Sequence, residues 1–158
     1  MSLDLENQII ETWNINNRIN LYLLDAIPPG ALGDVSASKG RTVAEQVAHI
    51  HNVRLMWLKS AGPDLMKGLD KIEKESAADK KLLARCMEQS GRAVEALLKK
   101  SVAGDGKIKG FKPHVTAFLG YIIAHESQHR GQIALSLKQS GHTLDKKVAY
   151  GIWEWGVR

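Results

Sequence analysis

The chain has 158 residues, 44% of them hydrophobic and 25% charged, which suits one domain spanning 1–158 with a sizeable core. No apolar run reaches membrane-spanning length, and nothing near the start reads as a cationic segment followed by an apolar core and a cleavage site, so a soluble, cytoplasmic protein without a membrane partner is expected. A net charge of +5 favours acidic partners in general, but the lysines fall in ordinary helix-surface runs such as Lys80-Lys81 and Lys99-Lys100, with no arginine tracts or interleaved aromatics, which argues against nucleic acid.

Helical periodicity begins at about Leu3 and runs to Leu24, with Leu5, Ile9, Trp13, Asn17, Leu21 and Leu24 near one face. Ile27-Pro28-Pro29-Gly30 ends it, and the glycine- and serine-rich stretch from Ala31 to Arg41 reads as loop. Thr42-Val43-Ala44-Glu45 has the form of a capping box, with hydroxyl and carboxylate placed to satisfy the first free amides of a second helix. That helix is predicted to reach about Leu58, and Gly62-Pro63 closes it. Residues Asp64 to Ser76 are mixed and leave room for a short helical turn. From about Ala77 to Lys100, Leu82, Leu83, Cys86, Val94, Leu97 and Leu98 mark a third amphipathic helix, weakened at its middle by Gly91. Cys86, the single cysteine, excludes an internal disulfide and any C-x-x-C motif, and is expected as a small buried apolar residue.

Beyond Gly104-Asp105-Gly106 and Gly110, Pro113 suits the first turn of a fourth helix extending to about Ser140, with Gly141 as its stop. Trp153-Glu154-Trp155 is expected to add a short C-terminal helix packed across the others. Alternating β-branched residues are too sparse for a sheet, so the predicted fold is all-α, an antiparallel four-helix bundle. Three of its connections are longer than such bundles usually use, which weighs against a fully regular up-and-down arrangement.

On the fourth helix Phe118, Ile122, His125, His129, Gln132 and Ile133 form the stripe expected to face inward. A lone histidine there is ordinarily satisfied by hydrogen bonds, but two at i and i+4 share one face, and a divalent ion binds both ring nitrogens at once. A third ligand must come from elsewhere, and the second helix carries His49 and His51. Two residues apart is about 200° on a helix, so only one of them can join, and periodicity leaves the choice open. His114, at a helix start, and His142, just beyond Gly141, are expected to be exposed.

His125-Glu126-Ser127-Gln128-His129 also spells H-E-x-x-H, in which a metalloprotease uses the glutamate as general base. The longer protease pattern fails at Gln132 and Leu135, and a small bundle offers no strand for a peptide cleft. Glu126 is therefore read as a solvated or helix-pairing residue in preference to a proton carrier. Arg130 points about 140° from His125 and is read as structural.

The segment Gly120-Tyr121-Ile122-Ile123-Ala124-His125-Glu126-Ser127-Gln128-His129-Arg130-Gly131-Gln132-Ile133 resembles the signature of the DinB/YfiT-like family of metal-binding four-helix-bundle proteins, and Thr42 to Ile50 resembles that family's other ligand motif. The H-R-G-Q run gives the resemblance its specificity, and it extends over nearly the whole chain. It implies His49, His125 and His129 as a metal triad, with Gln128 a departure from relatives that carry histidine there. It further implies a divalent ion, zinc or nickel, and activity as a small-molecule or thiol S-transferase using a low-molecular-weight thiol such as bacillithiol or mycothiol, in a homodimer. Glu45, Gln132 and Asn17 are the candidates for lining the site. The rival expectation is a non-catalytic bundle that its metal stabilises.

Overall fold

The computed structural model describes residues 4–158, which contain helices and no strand. Four long helices, α1 (Leu5–Ala26), α2 (Val43–Ala61), α3 (Lys80–Ala103) and α4 (Val115–Gln139), are followed by a short α5 (Lys146–Gly151). Short 3₁₀ turns occupy Pro29–Ala31, Pro63–Met66, Lys74–Ser76 and Trp155–Val157. No helix among the described residues is long and apolar enough to cross a membrane.

Side-chain caps set the helix starts. Asp4 accepts from the Asn7 amide and opens α1; the predicted start at Leu3 lies outside the described residues. The capping box forms in full, with Thr42 Oγ1 accepting from the Glu45 amide at 3.2 Å and Glu45 Oε2 from the Thr42 amide at 2.9 Å. Asp79 caps α3, so that helix begins at Lys80 and not at Ala77. His114 Nδ1 accepts from the Ala117 amide, so α4 starts after His114, and Pro113 stays outside it. At its far end Gly141 takes φ +85°, and the His142 amide donates back to Leu137 O, the Schellman closure that the glycine predicts. The expected tail helix is displaced: Asp145 caps α5 upstream, whereas Trp153-Glu154-Trp155 contributes only the start of a 3₁₀ turn and Trp153 is 76% exposed.

Helix α1 packs against α3 and α4, and α2 packs against the same two. Their buried apolar residues form two clusters. One gathers Leu23, Leu24, Val47, Ile50, Leu83, Met87, Ile133 and Leu137; the other gathers Trp13, Leu58, Val94, Leu98, Phe118 and Ile122. Along α1 and α4 the chain passes from the second cluster to the first, and along α2 and α3 from the first to the second.

Between the clusters every long helix contributes polar residues to a buried layer. Glu126 is 0% exposed, as is Arg54. Glu126 Oε1 accepts from Arg54 Nε at 2.6 Å, and Oε2 accepts from Arg54 Nη2 at 2.9 Å and from Asn16 and Asn20 Nδ2 at 2.7 Å each. Arg54 Nη1 also donates to Asn17 Oδ1 and to Met87 O on α3. Arg130 Nη1 donates to the Oδ1 atoms of Asn16 and Asn20 at 2.9 and 2.6 Å. This layer explains why the buried face of α1 departs from the predicted stripe. Asn16 and Asn20 point inward to serve Glu126 and Arg130, while Leu5 is exposed.

Gly91 belongs to the same layer. A Cβ there would stand 2.4 Å from Asn17 Nδ2, and the Gly91 carbonyl accepts from Trp13 Nε1 at 2.9 Å. The glycine that weakens α3 by propensity lets α1 approach it.

Two stability predictions result. Gly91→Ala should destabilise by about 1–3 kcal/mol through overpacking against Asn17, more than the roughly 1 kcal/mol that alanine gains in helix propensity; a urea midpoint at or above that of the parent would contradict this. Arg54→Met should lose about 3–5 kcal/mol by leaving a buried carboxylate without its counter-charge, and Arg54→Met/Glu126→Gln should recover part of it, as read in a double-mutant cycle of urea unfolding.

Candidate metal centre

Glu126 and Arg130 each follow a histidine by one residue, about 100° further round α4. Their bonds to α1 and α2 set the rotation of α4 and turn His125 and His129 toward α2, where His49 meets them. The ring centroids of His49 lie 5.4 Å from His125 and 4.6 Å from His129, and those of His125 and His129 are 4.6 Å apart. One ring nitrogen from each of the three falls within 4.8 Å of the others, and no carboxylate belongs to the set. His129 is 6% exposed, and the other two are half-buried.

The hydrogen bonding specifies which nitrogens are offered. His129 Nδ1 donates to Gln46 Oε1 at 2.6 Å, which places its proton on Nδ1 and leaves the Nε2 lone pair facing His125 Nε2 at 3.1 Å. His125 Nδ1 is buried with no hydrogen-bond partner. With its proton on Nε2, His125 satisfies His129 but strands a bare Nδ1; with its proton on Nδ1, it strands that N–H and turns two lone pairs on each other. No tautomer satisfies all four nitrogens from the protein alone, whereas a cation shared by the two Nε2 atoms relieves the repulsion between them. The residues present therefore fit a divalent metal ion.

The electrostatics favour the same donors. Burial, then the neighbouring rings of His125 and His49, then the Arg41 charge push the His129 pKa down to about 4, with Gln132 acting weakly the other way. Burial also lowers His49 and His125, aided in each case by Arg41 and opposed at His125 by the neighbouring Glu126 charge, which burial outweighs. All three are neutral near pH 7, the form in which imidazole binds metal.

His51 lies on the other side of α2. Its Nδ1 and Nε2 stand 3.0 Å from Cys86 O and 2.9 Å from Asp70 O, and the neutral ring, favoured by burial, donates to one of them at a time. Glu45 is engaged in the capping box, lies 3.4 Å from Lys74 Nζ and lines the groove beside His49. Asn17 is bound by Arg54 in the buried layer. Gln132 is exposed on the turn after His129, and Gln128 is exposed as well. His114 and His142 are exposed, the first as a helix cap and the second 2.6 Å from Asp34. Cys86 is buried.

Glu126 is not solvated. Burial works to raise its pKa, but the Arg54 charge and the hydrogen bonds from Arg54, Asn16 and Asn20 outweigh it and hold the carboxyl below its ordinary value. It pairs helices, and both oxygens are taken.

Gln46 is the residue that the reading of spacing passed over. It stands three positions before His49, one turn away on the same side of α2, a separation as favourable as the four positions of Glu45. The i, i+3 relation to a ligand candidate was the available signal.

The family model described as DinB family matches residues 1–150. No curated protein and no solved structure matches the chain. Histidines spaced as H-x-x-x-H on the last long helix, converging with one from the second, are thus found in a chain whose match covers nearly its whole length, and the protein belongs to the DinB family.

Proposed function

We propose that this chain is a divalent-metal-binding protein in which His49, His125 and His129 hold the ion, zinc or nickel, and that it acts as a metal-dependent small-molecule or thiol S-transferase. The observation that carries the reading is the convergence of three neutral ring nitrogens from two helices with no carboxylate among them. A divalent ion held by imidazoles alone keeps its full charge and open positions, and supplies Lewis acidity that lowers the pKa of a thiol or water placed there.

The chain's own part is positional. Gln46 keeps the His129 proton on Nδ1 and Nε2 free. The Arg54–Glu126 pair ties the two histidine-bearing helices together. A groove opening beside His49 admits a small molecule. The order of the two apolar clusters along each helix supports a four-helix bundle in which α1 runs antiparallel to α2 and α3 to α4, while α2 and α3 share a direction across their long connection. A cytoplasmic homodimer completes the proposal, and the exposed Tyr150, Trp153 and Val157 provide apolar surface for a second copy.

A protease reading of H-E-x-x-H loses its general base, because the oxygens of Glu126 are committed to Arg54, Asn16 and Asn20 inside the protein.

Protein purified without a histidine tag should carry about one divalent ion per chain, absent from His49→Ala and His129→Ala and retained by His51→Ala, as read by elemental analysis. Loss with His51→Ala but not with His49→Ala overturns the ligand assignment. Turnover of a low-molecular-weight thiol with an electrophile should vanish in folded His129→Ala; an ion that raises the unfolding midpoint without any turnover supports the non-catalytic bundle instead. Gln46→Ala should weaken zinc binding about 10- to 100-fold in competition with a chromophoric chelator, and an unchanged affinity removes Gln46 from the site.

A further inference from the structure

The groove beside His49 has a volume of ≈ 470 Å³, inside the range of about 300–1,000 Å³ typical of small-molecule sites. One wall is α2, with Glu45, His49 and Asn52; the other is the segment around Lys71 and Lys74. That second wall is pinned. Asn52 Nδ2 donates to Ile72 O at 3.0 Å, its Oδ1 accepts from the Ile72 amide at 2.9 Å, and Ile72 is itself buried in the core.

The charges lining the groove nearly cancel. Lys71 pairs with Glu73 at 3.2 Å and Lys74 with Glu45 at 3.4 Å. Arg41 lines the same groove, and among the described residues no carboxylate pairs with it. Arg41 and His49 line one groove, and the His49 ring meets those of His125 and His129 at centroid distances of 5.4 and 4.6 Å, so the groove leads from the guanidinium to the trio. The Arg41 charge also reaches the Glu45 carboxylate, which Lys74 already pairs, and an exposed guanidinium without an ion-pair partner of its own offers a planar fork of donors, the geometry that carboxylate and phosphate accept in two parallel bonds.

We propose that the groove takes an anionic small molecule whose carboxylate or phosphate is held by Arg41 while its other end reaches His49, His125 and His129. This rests on the histidine trio being the functional centre, and it adds the class of ligand that the centre serves.

The test uses the full chain, metal-free and zinc-loaded, titrated with succinate and separately with inorganic phosphate, with binding followed by amide shifts in ¹H–¹⁵N NMR. Shifts are expected in residues 41–52 and 70–77. Arg41→Gln should bind the preferred anion about tenfold more weakly, Arg41→Lys should fall between, and succinamide, which is neutral, should not compete with succinate. Whichever anion depends more on Arg41 identifies the headgroup. Equal binding by folded Arg41→Gln, shifts confined to another face, or no binding of either anion overturns the proposal. Zinc content separates the two readings: Arg41-dependent succinate binding in a chain that takes up no zinc refutes the metal and leaves the groove, whereas zinc bound at the histidines with anion binding indifferent to Arg41 does the reverse.

Discussion

One buried carboxylate governs the arrangement of this molecule. Glu126 is ionised and fully enclosed, a state that is unfavourable by several kcal/mol unless its lone pairs are met. Arg54 brings two donors from α2, and Asn16 and Asn20 bring one each from α1. A second guanidinium, Arg130, then binds the opposite ends of the same two amides. The apolar clusters on either side would tolerate some sliding and rotation of the helices; a layer of directional bonds reaching all four does not. The two α4 histidines therefore stand where they do because their sequence neighbours are anchored on the inside.

Two polar regions thus sit back to back on one helix turn, and they differ in kind. The inner one is charged and saturated, with each guanidinium nitrogen of Arg54 and each carboxylate oxygen of Glu126 hydrogen-bonded within the protein. The outer one is neutral and incomplete: three imidazoles whose charged forms are suppressed, one nitrogen without a partner, and an unpaired guanidinium nearby. Saturation suits a structural role, and incompleteness suits a ligand. The contrast assigns roles to Glu126 and His125, which are adjacent in the chain, more firmly than their residue types do.

Much of this was legible in the sequence, for identifiable reasons. The four long helices follow from period and punctuation, and Thr42 and Gly141 mark ends that local hydrogen bonds determine. The pairing of His125 with His129 follows from helix geometry alone, whereas the choice of His49 over His51 came from resemblance, since the apolar positions of α2 centre between them. What escaped depends on partners remote in sequence. The inward turn of Asn16 and Asn20 depends on a carboxylate more than a hundred positions away. The value of Gly91 lies in a neighbouring helix. Ala77 and Pro113 looked like helix because periodicity does not register that Asp79 and His114 intercept the first amides.

The pinned wall of the groove is tolerant of side-chain change. Between α2 and α3 the chain is fastened through the backbone of Asp70 and Ile72, by His51 and Asn52. Attachment through main-chain atoms is indifferent to the side chains that the segment carries, so Lys71 and Glu73, which pair with each other, can be exchanged without disturbing the histidines or the buried layer, whereas Lys74 also touches Glu45. Changing a few letters of this one strap would alter what the groove accepts while the backbone bonds that hold it in place stay as they are.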